Sequence, residues 1–333
     1  MPLKLTRHQL ERNLAIVAII GSIVIISLVV YTCVKRAQQP PTTESTVTRT
    51  VTAPKPPIFV WIWKIDEAKA VCGGSLQGIV DKCKENGVSG LIVCANRGSV
   101  WFNDRKEFNR LRQLADKGNL AFFGYGRFLG EDTLAEILRA IEAIQDGADG
   151  FIFDMEIEYE TKDGADRANA VVANVKRWCE GNAPEIVEML GYSSFGLPSG
   201  HPRFPTATLE ESCAFSCPQW YTTSWAKTQG WTLKESMEKI RQEFAEPSSL
   251  YSPVLQAYGK NSGQESVSPD ELRAMLDFSS EMEFTTFISI FTLELMDEDQ
   301  WRVIKEFTGT DKRQTKHETG YLAGLICIQY HIF

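Results

Sequence analysis

The stretch Asp149-Gly-Phe-Ile-Phe-Asp-Met-Glu156 ends an apolar run with two carboxylates, and it decides the expected fold. Side chains alternate between the two faces of a strand. Asp154 and Glu156 therefore share one face with Ile152, and the other apolar residues of the run share the opposite face. A run this apolar is typical of a strand that is buried on both faces, as in a parallel sheet.

Carboxylates are rarely buried unless they are paired or used in chemistry. The two at the end of this strand therefore predict the floor of a functional site. The alternative is that Glu156 begins a solvated acidic loop together with Glu158 and Glu160. Asp154 fits that alternative less well, because it lies deeper in the apolar run.

Apolar runs of strand length recur about every thirty residues, with amphipathic stretches between most of them. The eight predicted strands are Ile58–Trp63, Gly90–Ala95, Leu120–Tyr125, Asp149–Glu156, Val187–Tyr192, Ala214–Tyr221, Tyr251–Tyr258 and Phe284–Thr292. Alternating strands and helices predict a parallel sheet. Eight such units over about 250 residues fit a closed (β/α)8, or TIM, barrel of the α/β class better than an open sheet. A Pro- and Gly-rich connection predicts a short or irregular fifth helix.

A second apolar stretch predicts a membrane anchor. Residues 14–34 carry no charge, and a helix needs about twenty apolar residues to cross a bilayer. A cleaved signal peptide is the alternative, but its apolar region would be unusually long and no A-x-A-like cleavage site follows. A small excess of basic residues before the helix favours a main domain outside the cytoplasm or in a virion or envelope membrane.

Composition divides the chain into five segments. Residues 1–13 form a short basic segment, 14–34 a single-pass transmembrane helix, 35–57 a Pro- and Thr-rich stalk, 58–309 the barrel and 310–333 a C-terminal tail. The stalk has too little apolar content to pack, which predicts an extended linker. The apolar part of the tail is too short to cross a bilayer as a helix.

Charge and residue usage exclude several classes of partner. The formal net charge is -8 and no basic patch stands out, so no nucleic acid is expected. The four histidines are scattered and no Gly-rich phosphate loop of a common type is present, so neither a metal nor a cofactor is predicted. The eight cysteines do not have the spacing of a small disulfide scaffold, and their pairing stays open.

In this fold the chemistry is at the carboxyl ends of the strands. We expect substrate to bind the residues that collect there, because aromatic rings offer flat apolar faces to the C–H faces of sugars. These are Trp63, Trp101, Tyr125, Gln219, Trp220, Tyr221 and Tyr258. The alternative is an ordinary position in the core or at the rim, which we expect for about half of the aromatic residues. Further polar groups at the same ends are Lys64, Asn96, Arg97, Arg127, Gln256 and Glu294.

Asp154 and Glu156 together have the chemistry of a glycosidase pair. Glycoside hydrolysis needs a protonated carboxyl at the leaving oxygen and a second carboxylate that activates water, attacks or stabilises positive charge. Burial and a neighbouring carboxylate both raise a carboxyl pKa. We assign Glu156, nearer the mouth, as the acid/base, and Asp154 as the group that orients it or stabilises the intermediate.

The stretch 149–156 resembles the D-G-x-D-x-D-x-E signature of the family 18 chitinases. That resemblance implies that Glu156 is the proton donor and that Asp154 assists the substrate acetamido group. The match departs at Ile152, where that family has Asp. The D-x-E pair and Gln219-Trp-Tyr221 are also similar to the family 25 lysozymes, which cleave peptidoglycan. Those enzymes carry an Asp near the end of strand one, whereas Asp66 is the only Asp nearby here and is expected past the strand.

The sequence predicts a membrane-anchored glycoside hydrolase that acts on an N-acetylated, β-linked polysaccharide, with peptidoglycan ahead of chitin. A non-catalytic barrel that binds a glycan or a protein is the alternative, favoured by Ile152 and by the missing strand-one Asp. A barrel enzyme acting on a phosphate ester is a weaker alternative, which would use Tyr258-Gly-Lys-Asn-Ser-Gly263 as its phosphate loop.

Overall fold

The computed structural model describes residues 55–245, 250–260 and 262–309. The predicted basic segment, transmembrane helix and C-terminal tail, and most of the stalk, lie outside these ranges. Among the described helices, none combines the length and the apolar content needed to span a bilayer.

Eight parallel strands of the described chain close into a barrel, as the sequence predicts. They are β1 (Ile58–Ile62), β2 (Gly90–Arg97), β3 (Ala121–Phe128), β4 (Gly150–Met155), β5 (Leu190–Phe195), β6 (Phe215–Trp220), β7 (Val254–Gln256) and β8 (Ile288–Phe291). Strands adjacent in the sequence pair in space, and β1 closes the ring by pairing with both β2 and β8. Two short strands, Val100–Trp101 and Leu250–Tyr251, extend the edges of β2 and β6.

Helices surround the ring of strands. They are α1 (Ile65–Val71), α2 (Leu76–Glu85), α3 (Arg105–Lys117), α4 (Thr133–Gln145), α5 (Gly164–Asn182), α6 (Thr206–Ser212), α7 (Thr222–Gln229), α8 (Leu233–Glu243), α9 (Pro269–Glu281) and α10 (Glu298–Thr308). Side chains fix several helix starts: Ser268 accepts from the Glu271 amide at α9, and Asp297 forms a capping box with Gln300 at α10. The helix after β5, α6, is short, as predicted.

Strand alternation divides the core into two layers. One set of side chains fills the barrel interior, where Phe59, Phe123, Phe215 and Phe287 pack in edge or tilted contacts. The opposite set packs beneath the helices. On β4, Ile152 belongs to the interior layer and its apolar neighbours to the helix layer, as the alternation predicts.

Strand boundaries differ from the sequence prediction in several places. β2 runs on to Arg97 instead of ending at Ala95, and β8 begins at Ile288 instead of Phe284. β3 runs on to Phe128 instead of ending at Tyr125. β5 begins at Leu190, because Pro184–Met189 form a 3-10 helix in place of the first half of the predicted strand. The predicted seventh strand is interrupted at Ser252-Pro253, since proline cannot donate a ladder hydrogen bond.

The described barrel begins and ends at neighbouring points on the face opposite the carboxyl ends of the strands. Lys55 Nζ donates to the Phe307 carbonyl at 3.1 Å and lies 4.1 Å from the centroid of its ring. The Thr308 hydroxyl also donates to the carbonyl of Asn86 at the end of α2. The six cysteines within the described ranges are free and buried.

Candidate active site

A cavity of about 320 Å³ opens at the carboxyl ends of the strands. Seven of the eight barrel strands, or the residues directly after them, supply its lining. The lining side chains are Trp61, Trp63, Tyr125, Arg127, Asp154, Glu156, Ser193, Gln219, Tyr221, Val254 and Phe291. Strand register aligns Arg127 with Asp154 and Asp154 with Ser193, so these groups form one band across three adjacent strands.

The predicted acid pair lies in the wall of this cavity. Asp154 is on β4 and its side chain is 12 % exposed, whereas Glu156 directly follows the strand and is 29 % exposed. Gln219 Nε2 donates to Glu156 Oε1 at 3.0 Å. The alternation of β4 therefore directs both acids into the cavity. Glu156, two residues further toward the carboxyl end of the strand, lies nearer the opening than Asp154.

Arg127 joins the carboxylates of the site. Its Nη2 lies 3.0 Å from Glu156 Oε2 and donates to both oxygens of Glu158, at 2.8 and 2.9 Å. Its Nε lies 4.0 Å from Asp154 Oδ2. One guanidinium is thus shared among three acids, and its side chain is only 15 % exposed.

Burial raises the pKa of Asp154 well above its ordinary value, and the charge of Glu156 raises it further. The Arg127 guanidinium acts in the opposite direction but does not cancel these two effects. Asp154 Oδ1 is buried without a hydrogen-bond partner among the described residues. This carboxyl is consequently a site where a proton can be held at a higher pH than on a solvated aspartate.

Aromatic rings form the rest of the wall. Trp61 packs edge-on against Tyr125, with ring centroids 4.7 Å apart, and its Nε1 donates to Ser289 Oγ at 2.9 Å. Trp63 packs edge-on against Phe291, and Tyr221 packs against it in a tilted arrangement, each with ring centroids 6.2 Å apart. These contacts hold the rings in place and leave an apolar wall with polar tips, which suits a sugar ring.

The segment that carries Trp63 is fixed by buried polar groups. Glu294, after β8, accepts hydrogen bonds from the amides of Trp63 and Lys64 at 3.0 and 3.1 Å and from the Thr292 hydroxyl at 2.7 Å. Asn103 donates to the Trp63 carbonyl at 2.9 Å. Burial raises the pKa of Glu294, although these donors partly oppose the effect.

The acidic residues after β4 are engaged rather than freely solvated. Glu158 pairs with Arg127, and Glu160 pairs with His201, whose ring stacks on Phe195 with centroids 3.4 Å apart. The structure therefore does not support the alternative of a solvated acidic loop.

Four of the predicted substrate-binding residues come together in the cavity: Trp63, Tyr125, Gln219 and Tyr221. Three do not line it. Trp220 is 1 % exposed and packs against Phe244 and Phe278, because it alternates with Gln219 and Tyr221 and so points to the helix layer. The prediction that Trp220 binds substrate is therefore wrong.

Trp101 also lies away from the cavity. It pairs antiparallel with Asn96, packs on Phe108 of α3 and donates from Nε1 to Glu142 of α4 at 2.8 Å. Tyr258 contacts Phe291 with ring centroids 6.5 Å apart but does not line the cavity, and burial raises its pKa to about 12. Asp66, the acid nearest to strand one, is exposed on α1 and pairs with Lys69.

Several lining residues were not assigned to the site from the sequence. Trp61, Phe291 and Val254 belong to apolar runs, and Ser193 lies beyond the predicted end of its strand. Arg127 was noted only as a polar group at a strand end. Its signal was available: it lies two residues after Tyr125, and both residues face the same side once the strand is extended.

In the candidate phosphate loop after β7, three backbone amides donate hydrogen bonds to acceptors within the protein. The amide of Gly259 donates to Leu295 O, that of Lys260 to Asp297 Oδ2, and that of Ser262 to Gly259 O. Lys260 Nζ pairs with Asp299 at 3.0 Å. Among the described residues, no group of three or more His, Cys, Asp and Glu side chains is arranged to hold a metal ion.

Solved structures share this fold. A chitinase from Bacteroides thetaiotaomicron is 12% identical with a TM-score of 0.56, over 79% of this chain and 100% of that chain. The GH18 chitinase ChiB of Flavobacterium johnsoniae is 10% identical with a TM-score of 0.55, over 77% and 94%. The xylanase and alpha-amylase inhibitor protein XAIP-II of Scadoxus multiflorus is 12% identical with a TM-score of 0.51, over 77% and 97%.

No protein-family model and no curated protein sequence matches the chain. At identities this low, the structural likeness defines the fold alone. The protein is a closed (β/α)8 barrel of the kind found in the GH18 chitinases.

Proposed function

We propose that the protein is a glycoside hydrolase that acts on a β-linked polysaccharide of N-acetylated sugars, a class that includes peptidoglycan and chitin. One observation carries the proposal: Asp154 and Glu156 face a cavity walled by aromatic rings at the catalytic end of the barrel. The chitinases that share the fold are named for a substrate of this class.

The depth of the two acids suggests their roles. Glu156 is the more exposed, and it is the acid/base that reaches the glycosidic oxygen. Asp154 is deeper, and burial lets it hold a proton close to Glu156. Once Asp154 has released that proton, its carboxylate carries the negative charge that stabilises the positive charge developing on the sugar. Trp63 and Tyr221 provide ring faces for the bound sugar, and Gln219 orients Glu156 through its hydrogen bond at 3.0 Å.

Substitution of Glu156 tests the proposal. We expect Glu156→Gln to lower the release of reducing ends from chitin oligosaccharides and peptidoglycan by about 10²-fold or more, because proton transfer by a positioned acid contributes about 10²–10⁴-fold. Glu131→Gln, an exposed acid on the loop after β3, is the matched control and should retain activity. Wild-type turnover by the Glu156→Gln protein would refute the assignment.

A glycan-binding barrel without hydrolysis is the second candidate. The ion pair between Glu156 and Arg127 at 3.0 Å favours it, because an ionised carboxylate cannot donate a proton. The presence of Ile152 in place of a third acid also favours it. Binding of chitin oligosaccharides by calorimetry, with no reducing ends released by the wild-type protein, would select this candidate. The phosphate-ester alternative gains no support from the loop after β7, where the amides of Gly259, Lys260 and Ser262 donate to protein acceptors.

We further propose that residues 14–34 anchor the protein in a membrane as a single helix, with residues 35–57 as a stalk and the barrel on the extracytoplasmic side or in an envelope membrane. The uncharged apolar length of residues 14–34 supports this proposal. An anchored hydrolase on a stalk suits a polymer that lies near a membrane.

A further inference from the structure

Arg127 is the only cation that lines the cavity among the described residues, and it faces three acids. Two contacts with Glu158 and one with Glu156 all use the same Nη2 nitrogen. Asp154 receives only the more distant Nε, at 4.0 Å. The positive charge is therefore drawn toward Glu158 and away from the deeper acid.

The position of Glu158 is fixed independently of Arg127. It lies on the 3-10 helix Ile157–Tyr159, whose last residue is fully buried. Arg167 Nη2 donates to the Glu158 carbonyl at 2.8 Å, and its Nη1 donates to the Gly130 carbonyl at 3.2 Å. The loops after β3 and β4 are thus joined, and Glu158 is held where it competes for the guanidinium.

The other titratable groups near Asp154 come from several elements. Tyr125 is on β3, Cys94 on β2, Cys217 on β6 and Tyr221 directly after β6. Burial raises the pKa of each of these groups, so all four are neutral near pH 7. The charges that act on Asp154 at close range are therefore those of Arg127, Glu156 and Glu158.

We propose that Arg127 and Glu158 are positioning residues that act through the acid pair: Glu158 holds the guanidinium back from Asp154, the deeper acid, and so keeps a proton on Asp154. The consequence for turnover rests on the proposed hydrolase function. The consequence for the proton on Asp154 does not, and it can be measured in the absence of any substrate.

The direct test follows the Asp154 carboxyl by NMR in the full chain labelled with 13C-aspartate, using Asp154→Asn to assign its signal. Arg127→Gln removes a positive charge, so the titration midpoint of Asp154 should rise by roughly one pH unit. Glu158→Gln removes the competing acid and releases the guanidinium, so the midpoint should fall by a similar amount. Arg127→Lys, which retains the charge, should restore most of the wild-type midpoint.

A double variant separates the two ways in which Glu158 can act. If Glu158 works through Arg127, Glu158→Gln shifts the midpoint less in the Arg127→Gln protein than in the wild type. Equal shifts in both backgrounds would overturn that part of the proposal. Arg97→Gln is the matched control, because this exposed arginine ends the neighbouring strand β2 and does not line the cavity. The titration midpoint of Asp154 should be unchanged in this variant.

Shifts of Arg127→Gln and Glu158→Gln in the same direction, or no shift in either, would overturn the proposal as a whole. If the wild-type protein hydrolyses glycan, the pH profile of kcat/KM should shift with the NMR midpoints. If it releases no reducing ends and the midpoints still move in opposite directions, the hydrolase proposal fails and the positioning role stands.

Discussion

Ile152 and Arg127 together explain the charge of the site. Ile152 fills the barrel interior where the chitinase signature carries an acid, so β4 supplies two carboxylates to the cavity instead of three. A third acid, Glu158, enters from the following loop and pairs with Arg127. The third acid near the site thus comes from a residue outside the eight-residue stretch.

The burial of the Asp154 carboxyl predicts a free energy of unfolding that depends on pH. Its pKa is raised in the folded protein, so between the ordinary value of 3.8 and the raised value the folded state binds a proton that the unfolded chain has released. Stability contributed by this proton is complete below 3.8 and is lost as the pH rises through the folded pKa. The Asp154→Asn protein does not lose this stability at higher pH, because the asparagine side chain does not ionise.

We therefore expect Asp154→Asn to melt a few degrees above the wild type at neutral pH, and at nearly the wild-type temperature at the acidic end of the window. Thermal unfolding followed by circular dichroism from about pH 4 to 8 measures the difference. Glu283→Gln, an exposed acid before β8, is the control and should track the wild type throughout. A destabilised Asp154→Asn protein at neutral pH would show that Arg127 outweighs burial.

Strand β6 shows how much of an element the sequence predicts. Alternation places Gln219 and Tyr221 on one side and Trp220 on the other, and the structure has this arrangement. The aromatic character of Trp220 suggested a substrate role, but its parity on the strand decided its position. Arg127 was missed for a related reason: the polar end of β3 obscured the strand's length, and its partners come from a loop that lies thirty residues further along the chain.

The two tryptophans predict opposite effects. Trp220→Ala should lower the free energy of unfolding by about 3–5 kcal/mol, because it leaves a cavity beneath the helices. It should leave the glycan affinity of the folded fraction unchanged. Trp63→Ala should weaken binding of chitin oligosaccharides by about fivefold, since one aromatic contact contributes about 0.5–1.5 kcal/mol.

Denaturant unfolding and calorimetry on the same two proteins separate these effects. If the fully folded Trp220→Ala protein bound chitin oligosaccharides more weakly than the wild type, Trp220 would have to be assigned a role in substrate binding.

The closed ring was predictable from the sequence because eight apolar runs and their spacing are local properties. The convergence of Ser193, Phe291 and Arg127 on one cavity was not, because it depends on the exact strand ends and on register between strands. The structural likeness to chitinases and to an inhibitor protein confirms the barrel and leaves the activity to be tested.

The proposed anchor at residues 14–34 predicts that the full chain is associated with a membrane. We expect the full chain to remain in the membrane pellet after an alkaline carbonate wash. Ile23→Arg combined with Ile26→Arg should move it to the supernatant, since each charge at the centre of a helix costs about 2.5–3.5 kcal/mol on insertion. Thr46→Arg combined with Thr48→Arg places the same charges in the stalk and should leave the protein in the pellet. Retention of the Ile23/Ile26 variant would argue against the anchor.

The contact between Lys55 and Phe307 brings the first and last described turns of the barrel side by side, on the side away from the cavity. A short peptide could therefore bridge these two points, and new ends could be opened in an exposed surface turn without cutting the ring of strands. By the same geometry, a fluorescent label or a solid support attached at either point would leave the aromatic opening free to admit a long polymer.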